Sequence, residues 1–183
     1  MKNTLYKLDH IRTYSGQYVN LLDPHADTIN LYDIAHSLSN QCRFAGHTTH
    51  FYSVAEHCLN CAVMGEPKIR LALLMHDAAE AYLLDIPRPL KALMPQYEDM
   101  EDKFLRVISK KFKFKYPFDK EVIDIDNFML EYEWNNYVNN QTNSLYSTAK
   151  SQKYVEESFI KIYHQLIEGS INATAPLNNH IYF

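Results

Sequence analysis

The stretch Ala72-Leu-Leu-Met-His76-Asp77-Ala-Ala-Glu80 limits the possible folds more than any other part of the chain. Here an apolar run from Leu71 to Met75 meets a histidine and an aspartate side by side. Ile69, Ala72, Leu73, His76 and Ala79 recur at helical spacing, which sets His76 in line with the core and not opposite it. On such a helix His76 and Glu80 share a face, and Asp77 is rotated by about a quarter turn. Polar groups at the inner end of an apolar helix are costly to bury unless something binds them. A divalent metal would satisfy all three; the plainer alternative is a solvated dipeptide on an amphipathic helix.

At 183 residues, with 46% apolar and 22% charged side chains, the chain suits one globular domain with a proper core. A net charge of −4 gives no general reason to expect a nucleic-acid duplex or an anionic membrane as partner. No apolar run approaches the roughly 20 residues of a spanning helix. The start, Met1-Lys-Asn-Thr-Leu-Tyr-Lys, lacks a signal-peptide core, so a cytoplasmic location is expected. Three cysteines do not suggest a disulfide framework. Cys58 and Cys61 form a C-x-x-C, but they follow the apolar pattern of Val54, Ala55 and Ala62 and are expected as buried thiols. The sequon Asn172-Ala-Thr174 is read as a chance match.

Taken in order, Ile11 to Val19 reads as a short β-hairpin turning at Ser15-Gly16, and Asp23-Pro24 marks a further turn. A first helix is predicted from about Asn30 to Cys42-Arg43-Phe44, with Gly46 as its stop. A second is predicted over Thr49 to Met64, closed by Gly65, with His57 bordering its apolar face. Glu66-Pro67 opens a third, which carries His76-Asp77 and breaks at Ile86-Pro87-Arg88-Pro89. Pro95 starts a fourth, with Tyr97, Met100, Phe104, Val107 and Ile108 inward and a lysine cluster from Lys110 to Lys115 at its end. Asp119 caps a fifth over Lys120 to Asn139, with Val122, Ile125, Met129 and Tyr132 inward. A sixth spans roughly 149 to 168, and the polar tail ends in Ile181-Tyr-Phe183, which could dock on a neighbour. The expected fold is all-α: a bundle of about six helices, with hairpin and turns over 1–29, helical core over 30–168 and tail over 169–183.

Four candidate metal ligands border apolar stripes: His57, His76, Asp77 and Asp126. Asp124 competes with Asp126, and helical phase favours Asp126, one turn before Leu130 and two before Glu133. Two imidazoles and two carboxylates suit Mn, Fe, Co, Ni or Zn better than Ca or Mg alone, and open positions on the ion favour metal-assisted hydrolysis. Each candidate also has a structural explanation: His57 as a core histidine bonded to a carbonyl, Glu80 as a cap or ion-pair partner. Arg88 and Lys91 could be surface charges beside two prolines. His25, His36, His47 and His50 are not expected as ligands, although His47 and His50 lie close enough in sequence to contact a substrate. Tyr132 and Glu133 could line the site.

The ordered set Ser53-Val-Ala-Glu-His57, His76-Asp77-Ala-Ala-Glu80 and Ile123-Asp-Ile-Asp126 resembles the HD-domain phosphohydrolase superfamily. With Arg43-Phe44 and Leu84-Asp85-Ile-Pro-Arg88-Pro-Leu-Lys91, it is most similar to small bacterial and phage HD hydrolases related to the 5′-deoxynucleotidases. The resemblance spans about Ile11 to Trp134. It implies an HD-domain bundle in which His57, His76, Asp77 and Asp126 hold a divalent transition metal, with a second Mg or Mn ion able to join with substrate. Glu80 and Asp85 correspond to catalytic acids, and Arg43 to an arginine that grips phosphate. Phe44 stands where deoxynucleotidases carry an aromatic, often Trp, against the sugar. Arg88 and Lys91 are further candidates for substrate contact, and Arg12 for the outer phosphates. The implied activity is hydrolysis of deoxynucleoside monophosphates, with a dNTP triphosphohydrolase second. A non-catalytic nucleotide sensor and a cyclic-nucleotide phosphodiesterase are the remaining alternatives. The resemblance also implies a homo-oligomer, dimeric or larger and closed.

Overall fold

The computed structural model describes residues 7–139 and 149–169. The expected tail beyond Gly169, with its sequon and its closing Ile181-Tyr-Phe183, lies outside them. Strands β1 (His10–Arg12) and β2 (Tyr18–Asn20) pair antiparallel, with Ile11 opposite Val19. Gly16 closes this hairpin at φ 91°, a conformation that L side chains rarely adopt. The remaining named elements are helical, as an all-α bundle requires, and include α1 (Leu31–Asn40), α2 (Val54–Met64), α3 (Arg70–Met75), α4 (Glu80–Leu83), α5 (Arg88–Lys91), α6 (Pro95–Phe112), α7 (Lys120–Glu133) and α8 (Gln152–Ile167). None of them is long and apolar enough to cross a membrane.

Several helices follow their local signals. The Asn30 side chain accepts from the Asp33 N–H and caps α1, and Ser151 caps α8 in the same way through Tyr154. Pro95 occupies the first turn of α6, which ends at Lys113 in the left-handed region. Tyr97, Phe104 and Ile108 are buried as the stripe predicts, while Met100 and Val107 are only partly covered.

Four boundaries differ from the sequence reading. α1 stops at Asn40, before Cys42-Arg43-Phe44, because Gln41 leaves the helical region and Arg43 to Tyr52 form a bridged loop. α2 begins at Val54, not Thr49, because Ser53 and Glu56 close a capping box there. The third predicted helix is two short ones, and His76 to Ala79 form the turn between them. The fifth changes to π-helix over Trp134–Asn139, and within α7 Tyr132 is 38% exposed and not inward. Asp119 stands at the head of α7 without capping it by its side chain; Lys115 holds its carboxylate instead.

The core runs through the middle of the bundle, where α2 is buried over its first nine residues. α2 packs on α3, α1 packs on α8, and α7 lies against both α2 and α3. Gly65 ends α2 at a close approach: a Cβ there would lie 2.2 Å from Leu73 Cδ1. This packing brings one face of α7 against the His57 side of α2 and the end of α3.

Candidate metal centre and substrate pocket

Local geometry at residues 41–56 positions two of the key side chains at once. The Glu56 N–H donates to Ser53 Oγ at 3.1 Å, and the Ser53 N–H donates to Glu56 Oε2 at 3.2 Å. Cys42 bridges Ser53, and the Arg43 N–H donates to the Tyr52 carbonyl at 2.9 Å. One pairing therefore registers both the start of α2, and with it His57, and the turn that carries Arg43. Phe44 and Ala45 have φ of 54° and 53°. For non-glycine residues such a conformation costs on the order of 1 kcal/mol each. It allows Arg43 and Phe44 to line the same cavity.

The second anchor is Gln41. Its Nε2 donates to the Glu80 carbonyl at 3.0 Å and its Oε1 accepts from the Asp85 N–H at 3.0 Å. Leu84, at φ 72°, turns the chain between them. Asp85 is thereby held beside Glu80, and both line the cavity.

Three segments deliver four donors to one point. His57 Nε2 lies 3.1 Å from His76 Nε2, 3.1 Å from Asp126 Oδ1 and 3.6 Å from Asp77 Oδ2. His76 Nε2 lies 3.3 Å from Asp77 Oδ2 and 3.6 Å from Asp126 Oδ1. Neighbouring N and O donors at the usual metal distance lie about 2.9 Å apart at octahedral and about 3.4 Å apart at tetrahedral angles, so these separations suit one ion. The outer nitrogens strengthen the fit. His76 Nδ1 donates to the Leu73 carbonyl at 2.7 Å, and His57 Nδ1 donates to Glu133 Oε1 at 2.7 Å. In the neutral rings both Nε2 lone pairs then face one another and two carboxylate oxygens, an arrangement that calls for a cation.

The electrostatics mark the site as one that draws positive charge, whether a proton on the rings or a metal ion. Burial opposes protonation of both imidazoles, as does Arg43 for His57. Yet Cys61, Glu133 and Asp126 around His57, and Asp77, Cys58 and Asp126 around His76, raise both well above the ordinary histidine value. Burial also opposes ionisation of Asp126, but its bonds to His57 and His76 hold it far below the carboxylate range. Asp124, the competing candidate, is exposed and bound to Lys120 at 2.6 Å.

Glu133, seven residues after Asp126 and so on the same face of α7, is fully buried. Besides His57 it accepts from Tyr52 Oη at 2.8 Å and from Arg43 Nε at 3.0 Å. Asn60 Nδ2 donates to Tyr52 Oη in turn at 2.8 Å. A single carboxylate thus orients a candidate metal ligand and the arginine, whose Nη1 is 3.5 Å from Asp77 Oδ2. Sequence reasoning placed Glu133 only as a possible wall residue; its seven-residue spacing from Asp126 was the available signal.

The cluster opens into a cavity of about 420 Å³ lined by Arg43, Asp77, Glu80, Asp85, Asp126 and Lys91 on its polar side. Phe44, Ile86, Pro87, Pro89, Leu130 and Trp134 supply apolar wall, and Arg88, Asn127 and Glu131 complete the rim. Glu80 is buried, and its Oε2 has no hydrogen-bond partner among the described residues. Burial, then Asp77 and Asp85, push its carboxyl well above the ordinary value against the pull of Arg43 and Lys91. Lys91 Nζ sits 3.8 Å from Glu80 Oε1 and 2.9 Å from Glu101 Oε1. Arg88 donates to Asp126 Oδ2 at 3.1 Å and to Asn127 Oδ1 at 2.8 Å.

All ten site residues expected from sequence therefore border the cluster or the cavity. The others do not: His36 pairs with Glu156 and stacks on Tyr14, and His50 packs against Tyr52 and Tyr137. Arg12, His25 and His47 are absent from the cavity wall. Cys58 and Cys61 are buried free thiols, as expected, but they sit within reach of the centre: Cys61 Sγ is 3.6 Å from His57 Nε2. Nothing in the spacing of residues marked Trp134 as a wall residue, yet it lines the cavity.

No family model matches the chain. It is 48% identical over 105 residues to the uncharacterized protein YfdR of Escherichia coli K12, covering 57% of this chain and 59% of that one. It is 38% identical over 111 residues to an uncharacterized protein of Rhodobacter capsulatus, covering 55% and 57% respectively. The chain thus spans under two thirds of the length of the curated relatives it matches.

Proposed function

We propose that the chain is a metal-dependent phosphohydrolase of the HD-domain type, acting on deoxynucleoside 5′-monophosphates and releasing nucleoside and phosphate. The observation that carries this reading is the convergence of His57, His76, Asp77 and Asp126, with separations of 3.1–3.6 Å, at the wall of a cavity that also holds Arg43 and Glu80. A divalent ion held there supplies Lewis-acid polarisation of a phosphoryl oxygen and makes a water more acidic.

The chain's own residues account for the rest. Arg43, fixed by Glu133, offers Nη donors to the phosphoryl group and offsets the charge that spreads over its oxygens. Water attacks phosphorus, the P–O5′ bond breaks, and the departing oxygen gains a proton. Glu80, buried with one bare oxygen, handles that proton, and Asp85 stands beside it. Phe44 forms the wall next to Arg43, where the sugar would follow the phosphate.

The dNTP triphosphohydrolase reading ranks second on the state of the outer cations. Arg88 is held by Asp126 and Asn127, and Lys91 by Glu101, so neither is free for β and γ phosphates without leaving its partner. The reading carries with it a cytoplasmic location and a closed homo-oligomer. The test is to assay purified protein, loaded in turn with Zn²⁺, Co²⁺ and Mn²⁺, against each dNMP and dNTP, with phosphate and triphosphate separated. Phosphate released from dNMPs, and lost on chelation, is the expected result. Triphosphate as product would favour the second reading, and tight nucleotide binding without turnover under every metal would mark a sensor.

A further inference from the structure

The geometry points to Trp134 as the platform on which the nucleobase stacks, an inference that rests on the nucleotide reading above. Trp134 closes α7 where the helix widens into its π-helical turn, and it is 51% exposed although it lines the cavity. A lone exposed aromatic is ordinary on a protein surface; this one continues a recognition series. The Arg43 guanidinium carbon lies 5.4 Å from the centre of the Phe44 ring. The Phe44 ring centre lies 5.9 Å from that of Trp134, tilted by 62°. Cation, first ring and second ring thus succeed one another at intervals comparable to those of phosphate, sugar and base, each a few covalent bonds apart.

The surrounding wall suits a flat heterocycle. Leu130 and Trp134, one turn apart, form an apolar strip on α7. Ile86, Pro87 and Pro89 stand among the same lining residues, and the two prolines carry no backbone N–H to be left unsatisfied by a bound ring. Stacking on indole is tolerant of base identity, so the platform selects for the presence of a base and not for one base.

The chain contains a single tryptophan, so its emission reports on this position alone. The experiment uses the Zn²⁺-loaded Glu80→Gln protein, which binds without turning over, titrated with dAMP and with deoxyribose 5-phosphate. Calorimetry is run in parallel. The expected result is saturable quenching by dAMP and none by deoxyribose 5-phosphate, although both bind. Trp134→Ala should weaken dAMP by about tenfold, within the range of roughly 5- to 150-fold for loss of one stacked base. It should leave deoxyribose 5-phosphate affinity unchanged, and Trp134→Phe should restore most of the dAMP affinity. Calorimetric binding of dAMP with unchanged emission, and equal affinity in Trp134→Ala, would overturn the platform while leaving the nucleotidase reading intact. Zn²⁺ binding without any nucleotide binding would instead remove the nucleotide reading, and the platform with it.

Discussion

Replacing Glu133 with glutamine tests whether one buried carboxylate holds both a metal ligand and the phosphate-binding arginine. Oε1 accepts from His57 Nδ1 and Tyr52 Oη, and Oε2 accepts from Arg43 Nε. Burial works against its ionisation, but the charges of His57 and Arg43 and the bonds from His57 and Tyr52 keep Glu133 below the usual carboxylate range. Glutamine keeps the shape but offers one oxygen and a donor nitrogen. With its oxygen toward His57 and Tyr52, its NH₂ meets the Arg43 N–H, donor against donor, and the guanidinium loses a counter-charge. With the amide reversed, His57 can accept only by moving its proton to Nε2, where it blocks the metal. Removing one partner of a buried ion pair costs about 3–5 kcal/mol. Asp77 remains 3.5 Å from Arg43 Nη1, so the lower end, about 3 kcal/mol, is expected. At roughly 2–4 °C per kcal/mol for a domain of this size, the metal-stripped variant should melt about 6–12 °C lower than the parent. Replacing the carboxylate acceptor on His57 with a neutral amide should weaken Zn²⁺ binding about 10- to 100-fold. Scanning calorimetry in EDTA and titration calorimetry with Zn²⁺ measure the two effects separately. A variant that melts with the parent and binds Zn²⁺ as tightly refutes the linkage.

Three further outcomes are expected. Glu80→Gln should retain fold and Zn²⁺ while losing about 10²- to 10⁴-fold in turnover; steady-state assay with undiminished turnover removes Glu80 from proton handling. Asp33, on α1 and outside the cavity lining, accepts from the Ser15 N–H and Ser15 Oγ, each at 2.7 Å, and from Asn30 Nδ2 at 2.6 Å. Burial raises its pKa, but these bonds and one from Thr13 outweigh that and lower it from 3.8. Its contribution is therefore complete above 3.8 and is lost as pH falls through the depressed folded-state value. Asp33→Asn should cost about 1–3 kcal/mol at neutral pH, and urea unfolding should show the gap closing in acid; a gap independent of pH contradicts this account. Gly65→Ala would force a methyl to 2.2 Å from Leu73 Cδ1, and overpacking of this kind costs about 1–3 kcal/mol. An unshifted urea midpoint would mean that Leu73 yields freely.

The sequence by itself determined the local features: the hairpin turning at Gly16, the Asn30 cap, the proline start of α6 and the apolar stripes that make an all-α bundle. It also brought His57, His76, Asp77 and Asp126 to the edges of those stripes, because helical period is a property of neighbours in the chain. Where periodicity ran past a true boundary, as in α2, the Ser53-x-x-Glu56 capping box was the stronger local signal. Helical phase also favoured Asp126 over Asp124, which pairs with Lys120 four residues before it, but only the tertiary structure carried Asp126 to both imidazoles. It alone set Glu133 between His57 and Arg43, partners 76 and 90 residues away, and Trp134 in the cavity wall. The reason is geometric. Which side chains share a hydrogen bond or a pocket depends on how deeply helices pack and how they are rotated about their axes, and neither quantity is written in the spacing along one helix.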